Sequence, residues 1–126
     1  GVLFTSFISR YGVLGHVFHS FPDWIEEQHN VKSLLKNGIE VERSGGIRAY
    51  FSTVCEITAL HEEAGFETIV LAGVEPAISE ADDENYNNLE GIQRQLWQDL
   101  LFEISAEPSI VGASRHLLYI GRKSKE

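Results

Sequence analysis

The first residues of the chain limit its fold more than any other segment. Val2-Leu3-Phe4-Thr5-Ser6-Phe7-Ile8 carries apolar side chains at both even and odd positions. Because successive side chains of a strand point to opposite faces of a sheet, the pattern predicts a strand that is buried on both faces. Such strands are typical of sheets that helices cover on both sides. The segment therefore predicts an α/β fold.

Composition and charge narrow the classes of protein. The 126 residues fit one domain, and the 43% of hydrophobic residues suffice for a packed core. No apolar run approaches the roughly 20 residues that cross a bilayer, so we expect no membrane partner. The net charge is −9, and the basic residues are scattered apart from Arg122-Lys123-Ser124-Lys125. This distribution argues against nucleic-acid binding. Cys55 is the single cysteine, which excludes an intrachain disulfide and suits a reducing cytoplasm.

Helix and strand signals follow one another along the chain. Thr53-x-x-Glu56 is a capping-box pattern that predicts a helix ending at Gly65. The other predicted elements are a short helix or loop over 9–21, a helix from Pro22 to about Lys36, a hairpin of Ile39–Glu42 with Ile47–Phe51, and strands over Phe66–Gly73 and Leu117–Ile120.

A long helix is predicted from about Asn85 to Ser105, with Gly91 inside it and Pro108 ending it. Its expected apolar seam consists of Leu89, Ile92, Leu96, Leu100 and Ile104, widened by Trp97 and Leu101.

The order of these segments and their short sequence motifs resemble the C-terminal part of a class I S-adenosylmethionine-dependent methyltransferase. Glu63-Ala64-Gly65-Phe66 is similar to the family's junction before its sixth strand, and Leu117–Lys123 is similar to its antiparallel seventh strand. The resemblance implies a partial Rossmann-like methyltransferase sheet of about three core strands, the last one antiparallel, with flanking helices. It also implies a single domain over residues 1–126, with cap segments at about 10–52 and 78–112.

The same resemblance implies a function for the full-length protein, the transfer of a methyl group from S-adenosylmethionine to a small molecule. The family's Gly-rich cofactor loop has no counterpart, since neither Gly45-Gly46 nor Gly12-x-x-Gly15 is predicted between a buried strand and a helix. We therefore expect this chain alone to be inactive and to bind no cofactor. The alternative is a non-enzymatic binding or dimerisation module of α/β type.

Candidate substrate-lining residues come from the expected position of a ligand in an open α/β sheet, outside the carboxyl ends of the strands. Arg10 and Tyr11 follow the first strand, and Arg48 and Tyr50 precede the Thr53 helix. His16 and His19 are candidates for the same mouth as lid residues. Ordinary loop packing is the alternative for this set, and no catalytic residue is assigned.

Other reactive side chains receive structural interpretations. His16, His19, Cys55 and His61 lack the two close ligand pairs of a structural zinc site, so no metal is predicted. Cys55 has no assignable base and is expected to be inert. Asp82-Asp83-Glu84 lacks the alternating ligands of a calcium loop and is predicted to be a solvated helix start. His116 is expected to make a structural hydrogen bond, and Trp24 and Trp97 to be core residues.

The Val2–Ile8 strand also predicts a partner. If its neighbour on one side is missing, an apolar edge with unpaired backbone groups invites another chain. We therefore predict a homodimer through this edge.

Overall fold

The sheet is built around the last strand of the chain. The computed structural model describes residues 1–39, 49–75 and 82–125. Its strands are β1 (Val2–Ser9), β2 (Phe51–Ser52), β3 (Phe66–Gly73) and β4 (His116–Lys123). They lie in the order β2-β1-β4-β3, with β4 antiparallel to both of its neighbours and β2 parallel to β1. The predicted α/β class and the antiparallel last strand are confirmed.

Helices flank this sheet. They are α1 (Val13–Ser20), α2 (Gln28–Asn37), α3 (Val54–Glu63), α4 (Asp83–Asn87), α5 (Gly91–Ile104) and α6 (Pro108–Val111), with a 3-10 helix at Pro22–Glu26. Across the described ranges, none of these helices has both the length and the apolar character needed to cross a bilayer.

One face of the sheet carries a closed core under α3 and α6. Ile57, Val111, Leu117 and Tyr119 are each at most 4% exposed there. The predicted capping box fixes the start of α3, because Thr53 Oγ1 accepts from the Glu56 amide while Glu56 Oε2 accepts from the Thr53 amide. Both bonds satisfy amides that the first helical turn leaves unpaired.

His61 ties α3 to this core. Its Nδ1 lies 2.6 Å from the Ile57 carbonyl oxygen, which can only accept, so Nδ1 carries a hydrogen. In the neutral ring, Nε2 then accepts from the Thr5 hydroxyl at 2.8 Å. The ring also stacks on Tyr119 with centroids 3.6 Å apart. The side chain thus connects α3 to both central strands.

The other face of β1 is open, which corrects the prediction of burial on both sides. Val2 is 54% exposed and Phe4 is 64% exposed. Among the described residues, Leu101 and Phe102 of α5 line an open groove with Val70 of β3 and Leu118 of β4, but no element covers the first residues of β1. The apolar pattern of Val2–Ile8 was read correctly as a strand and wrongly as one with two covered faces.

Two of the predicted helices are each divided into two in the structure. The predicted Asn85–Ser105 helix is divided into α4 and α5, and Gly91 has a φ of 51°, a left-handed value that favours glycine at this junction. The seam of α5 is shifted as well, because Ile92, Leu96 and Leu100 are exposed while Trp97, Leu101 and Ile104 are half-buried.

Pro108 begins α6 instead of ending the long helix, in keeping with its fixed φ at a first helical position. The helix predicted from Pro22 is likewise divided, into the 3-10 helix and α2. Only the Ile39–Tyr50 bridge of the predicted hairpin falls within the described residues, since 40–48 lie outside them.

A second core lies at the carboxyl end of β1, in the cap formed by α1, the 3-10 helix and α2. Its buried members are Val13, Val17, Trp24, Val31, Leu34 and Phe51. Phe51 belongs to β2, whose parallel pairing with Ile8 and Ser9 attaches the cap to the sheet. The cap therefore stands over the end of the sheet where ligands of α/β folds bind.

Gly12 provides a test of how the cap is seated. A Cβ atom at this position would overlap the Ser114 carbonyl oxygen, whereas one at Gly15 in α1 would meet nothing within 4 Å. We expect Gly12→Ala to lower the free energy of unfolding by about 1–3 kcal/mol, since backbone must move to admit the methyl group. Gly15→Ala is the matched control and should raise stability by up to about 1 kcal/mol through helix propensity. Urea unfolding measures both, and equal effects of the two variants would contradict this packing.

Candidate functional site

A cavity of about 430 Å³ opens at the carboxyl end of β1, between the cap and the start of β4. This volume is within the range of small-molecule sites. The lining residues are Ile8, Val13, His16, Val17, Phe21, Trp24, Leu34, Phe51, Arg115 and His116. The cavity lies where an α/β sheet places its ligands, at the carboxyl ends of two parallel strands.

The walls of the cavity are mainly apolar. Three aromatic side chains, Phe21, Trp24 and Phe51, contribute to the lining. Trp24 and Phe51 are buried at 6% and 7% exposure as members of the cap core, which confirms the prediction that Trp24 is a core residue. The same side chains thus stabilise the cap and shape an apolar site.

The Glu75 carboxylate orients His116 in the cavity lining through two hydrogen bonds. Its Nδ1 lies 2.6 Å from Glu75 Oε1, and its backbone N–H donates to Glu75 Oε2 at 3.0 Å. Glu75 follows β3 and His116 begins β4, so the carboxylate holds both the ring and the backbone of one residue across adjacent strands. The predicted structural hydrogen bond of His116 is confirmed.

The orientation of the His116 ring has a chemical consequence. An ionised carboxylate only accepts hydrogen bonds, so Nδ1 donates its hydrogen to Glu75. In the neutral ring, Nε2 then carries a lone pair and can accept a hydrogen bond. The pair therefore makes Nε2 the accepting nitrogen of a ring that belongs to the cavity lining and whose side chain is 52% exposed.

Two further polar residues line the cavity. Arg115 Nη2 lies 3.5 Å from Asp83 Oδ1, which links the start of β4 to α4. His16 of α1 packs edge-on against Phe21, with ring centroids 5.5 Å apart. The cationic group thus has an acidic neighbour, and the imidazole of His16 belongs to the aromatic packing of the cap.

The Arg10 side chain is buried and forms its hydrogen bonds within the protein. Its side chain is 6% exposed, and its Nη2 donates to Glu56 Oε1 at 2.6 Å, to Glu56 Oε2 at 2.8 Å and to the Tyr50 hydroxyl at 3.0 Å. Its Nε donates to the Phe51 carbonyl at 3.0 Å. Arg10 therefore joins the end of β1 to β2 and to the first turn of α3.

These contacts change the ionisation of Glu56. Burial opposes its charged form, but hydrogen bonds from the Thr53 amide and the Arg10 guanidinium outweigh that effect and hold the pKa of Glu56 below its ordinary value. The capping box and the buried arginine thus share one carboxylate.

The remaining predicted site residues are scattered around the cap. Of the six candidates, His16 lines the cavity, while Tyr11 is 53% exposed and His19 is exposed. Tyr50 is exposed and accepts the hydrogen bond from Arg10. Arg48 lies outside the described residues.

Sequence reasoning missed Glu75, Arg115 and the place of His116 at the cavity. No local sequence pattern marks them, because the start of β4 reaches the carboxyl end of β1 only through the pairing of His116 opposite Ile8.

Two features of the described residues bear on metal binding and on the turn after β1. Within residues 1–39, 49–75 and 82–125, no three His, Cys, Asp or Glu side chains converge on a point where a metal ion could bind. Contrary to the expectation from the sequence, Gly12 lies between β1 and α1, but its amide donates to Ser9 Oγ and the Ser114 carbonyl fills the space beside it. Cys55 is exposed and free.

The shared carboxylate predicts a pH-dependent stability. Because folding lowers the pKa of Glu56, its ionic contribution is complete above the unfolded pKa of about 4.3 and is lost as the pH falls through the lower folded value. We expect Glu56→Gln to cost about 1 kcal/mol at pH 7, a small value because the Glu56 side chain is 39% exposed and solvent screens the pair. The difference from the parent should shrink near pH 3.

Urea unfolding at the two pH values measures this change. Glu62→Gln, on the exposed side of the same helix, is the control and should show little difference at either pH. A Glu56→Gln effect that stays constant from pH 7 to pH 3 would contradict the role of the charge.

The cavity, the Glu75–His116 pair and the Arg10 cluster all lie at one end of the sheet. The cavity and the pair are open to small molecules, whereas Arg10 is closed within the protein. No protein-family model matches this chain, and no curated protein shows significant sequence similarity to it.

Proposed function

We propose that this chain is the acceptor-binding part of a class I S-adenosylmethionine-dependent methyltransferase, in which the full-length cytoplasmic protein transfers a methyl group to a small molecule. The observation that carries the proposal is the apolar cavity of about 430 Å³ at the carboxyl end of β1. The resemblance makes β1 the counterpart of the family's fifth strand, whose carboxyl end borders the substrate pocket in that family.

The sheet supports the proposal through its strand directions. β4 is antiparallel to β1 and to β3, as the resemblance implies for the last strand. The junction of α3 and β3 also agrees, since α3 ends at Glu63, Gly65 has a φ of 79° and β3 begins at Phe66. These features support only the fold part of the proposal, because scaffold elements carry no chemistry themselves.

The chain's own contribution is binding and orientation. The aromatic and aliphatic walls exclude water from an acceptor molecule, and the oriented His116 gives it one polar anchor. Holding one reactant in a fixed position lowers the entropic part of a transfer barrier. The cofactor would be held by another part of the full-length protein.

A second candidate function is a dimerisation module without an enzymatic site. The outer edge of β1 favours it, because the described part of the chain pairs β2 only with Ile8 and Ser9 and leaves residues 2–7 without a strand on that side. The exposed ring of Phe4 lies along the same strand. The two candidates differ in what completes the sheet, the rest of a methyltransferase or a second copy of the chain.

Calorimetry tests the methyltransferase proposal. We expect this chain to show no micromolar affinity for S-adenosylmethionine or S-adenosylhomocysteine, and the coding sequence upstream of Gly1 to specify a Gly-rich strand–turn–helix unit. A protein that joins both segments should then bind the cofactor. Micromolar binding by this chain alone, or an upstream sequence without such a unit, would contradict the proposal.

A further inference from the structure

We propose that His116 Nε2 selects small aromatic molecules that carry a hydroxyl group, by accepting a hydrogen bond from that group inside the cavity. The inference rests on the proposed function and deepens it by naming the class of acceptor molecule. It assigns His116 as the contact residue and Glu75 as the residue that positions it.

The cavity sets the size and the character of the ligand. A closed apolar cavity of about 150 Å³ accommodates benzene in a well-studied protein. The cavity of about 430 Å³ therefore holds one aromatic ring with substituents. Phe21, Trp24 and Phe51 supply faces and edges against which such a ring packs.

Glu75 sets the hydrogen-bonding role of the His116 ring. The backbone N–H of His116 donates to Glu75 Oε2 at 3.0 Å, and the ring Nδ1 donates to Glu75 Oε1 at 2.6 Å. With the hydrogen on Nδ1, the neutral ring presents Nε2 as an acceptor. A hydroxyl group satisfies that acceptor, whereas the oxygen of a methyl ether has no hydrogen to donate.

The same geometry suits removal of the hydroxyl hydrogen. In that step the O–H bond breaks, an N–H bond forms at Nε2, and the electron pair stays on oxygen. The Glu75 carboxylate stabilises the resulting imidazolium through Nδ1. An oxygen that has lost its hydrogen is the stronger nucleophile, which is what a methyl acceptor requires.

Replacing Glu75 by glutamine should reverse the tautomer of the His116 ring. An amide has one acceptor oxygen, and the backbone N–H of His116 can only donate, so it takes that oxygen. The amide NH₂ group then faces Nδ1 and favours the tautomer with its hydrogen on Nε2. Glu75→Gln thus keeps the size of the side chain and changes Nε2 from an acceptor to a donor.

Paired titrations with p-cresol and 4-methylanisole test the inference. We expect calorimetry at pH 8 to show p-cresol binding about tenfold more tightly than its methyl ether, the worth of one hydrogen bond. Glu75→Gln and His116→Phe should reduce the preference to within about twofold. His29→Phe alters an exposed histidine that does not line the cavity and should leave the preference intact.

Nitrogen NMR of the His116 ring supplies a readout that a purely structural role would not move. The hydrogen should be on Nδ1 in the parent chain and on Nε2 in Glu75→Gln, while thermal melts verify that both are folded. Equal affinities of the parent for the two probes, or an unchanged tautomer in Glu75→Gln, would overturn the inference and leave the cavity as a binding site. Binding of neither probe would overturn both the inference and the acceptor-site proposal, whereas a failed cofactor test alone would overturn only the methyltransferase assignment.

Discussion

The pairing of β4 on both of its edges is the constraint on which the rest of the structure depends. Seven residue pairs join β4 to β1, from Val2↔Arg122 to Ile8↔His116, and β3 follows the other edge. A slip of one residue would exchange the two faces of β4. It would move Leu117 and Tyr119 out of the core under α3 and would remove His116 from the cavity. The register of one strand therefore fixes both the stability of the sheet and the geometry of the site.

Local signals in the sequence predicted what local interactions determine. The Thr53–Glu56 capping box, the left-handed Gly65 and the strand that follows are correct because each depends on residues a few positions apart. Local patterns in the sequence do not reveal contacts between residues that are far apart in the chain. Arg10 is a candidate for the substrate mouth because it follows the first strand, but its ion pair with Glu56 joins residues 46 positions apart, and the Glu75–His116 pair spans 41 positions. The seam of α5 was misplaced because periodicity shows an apolar stripe without showing which part of it a neighbour covers.

The site joins two parts of the fold that have different tasks. The cap contributes apolar walls that also form its own core, and the sheet contributes a single oriented imidazole. Such a division suits an acceptor site, since apolar walls give affinity and one directed hydrogen bond gives selectivity. The open edge of β1 lies beside this site on the same strand. A neighbouring strand would complete the sheet and would extend the row of carboxyl ends at which ligands bind.

Hydrogen exchange at β1 tests most directly whether the sheet is incomplete. Ser9 N–H donates to the Arg115 carbonyl just before β4, and Arg10 N–H donates to Ser52 of β2. The amides of β1 therefore alternate, and those of Phe4 and Ser6 face the open edge. The amides of Thr5 and Phe7 face β4 and should exchange slowly throughout. If the edge binds a second copy when its natural neighbour is absent, exchange of Phe4 and Ser6 should slow as the chain concentration rises. Fast exchange of both at every concentration would contradict pairing of this edge with a second copy, and slow exchange of both at low concentration would contradict the open edge itself.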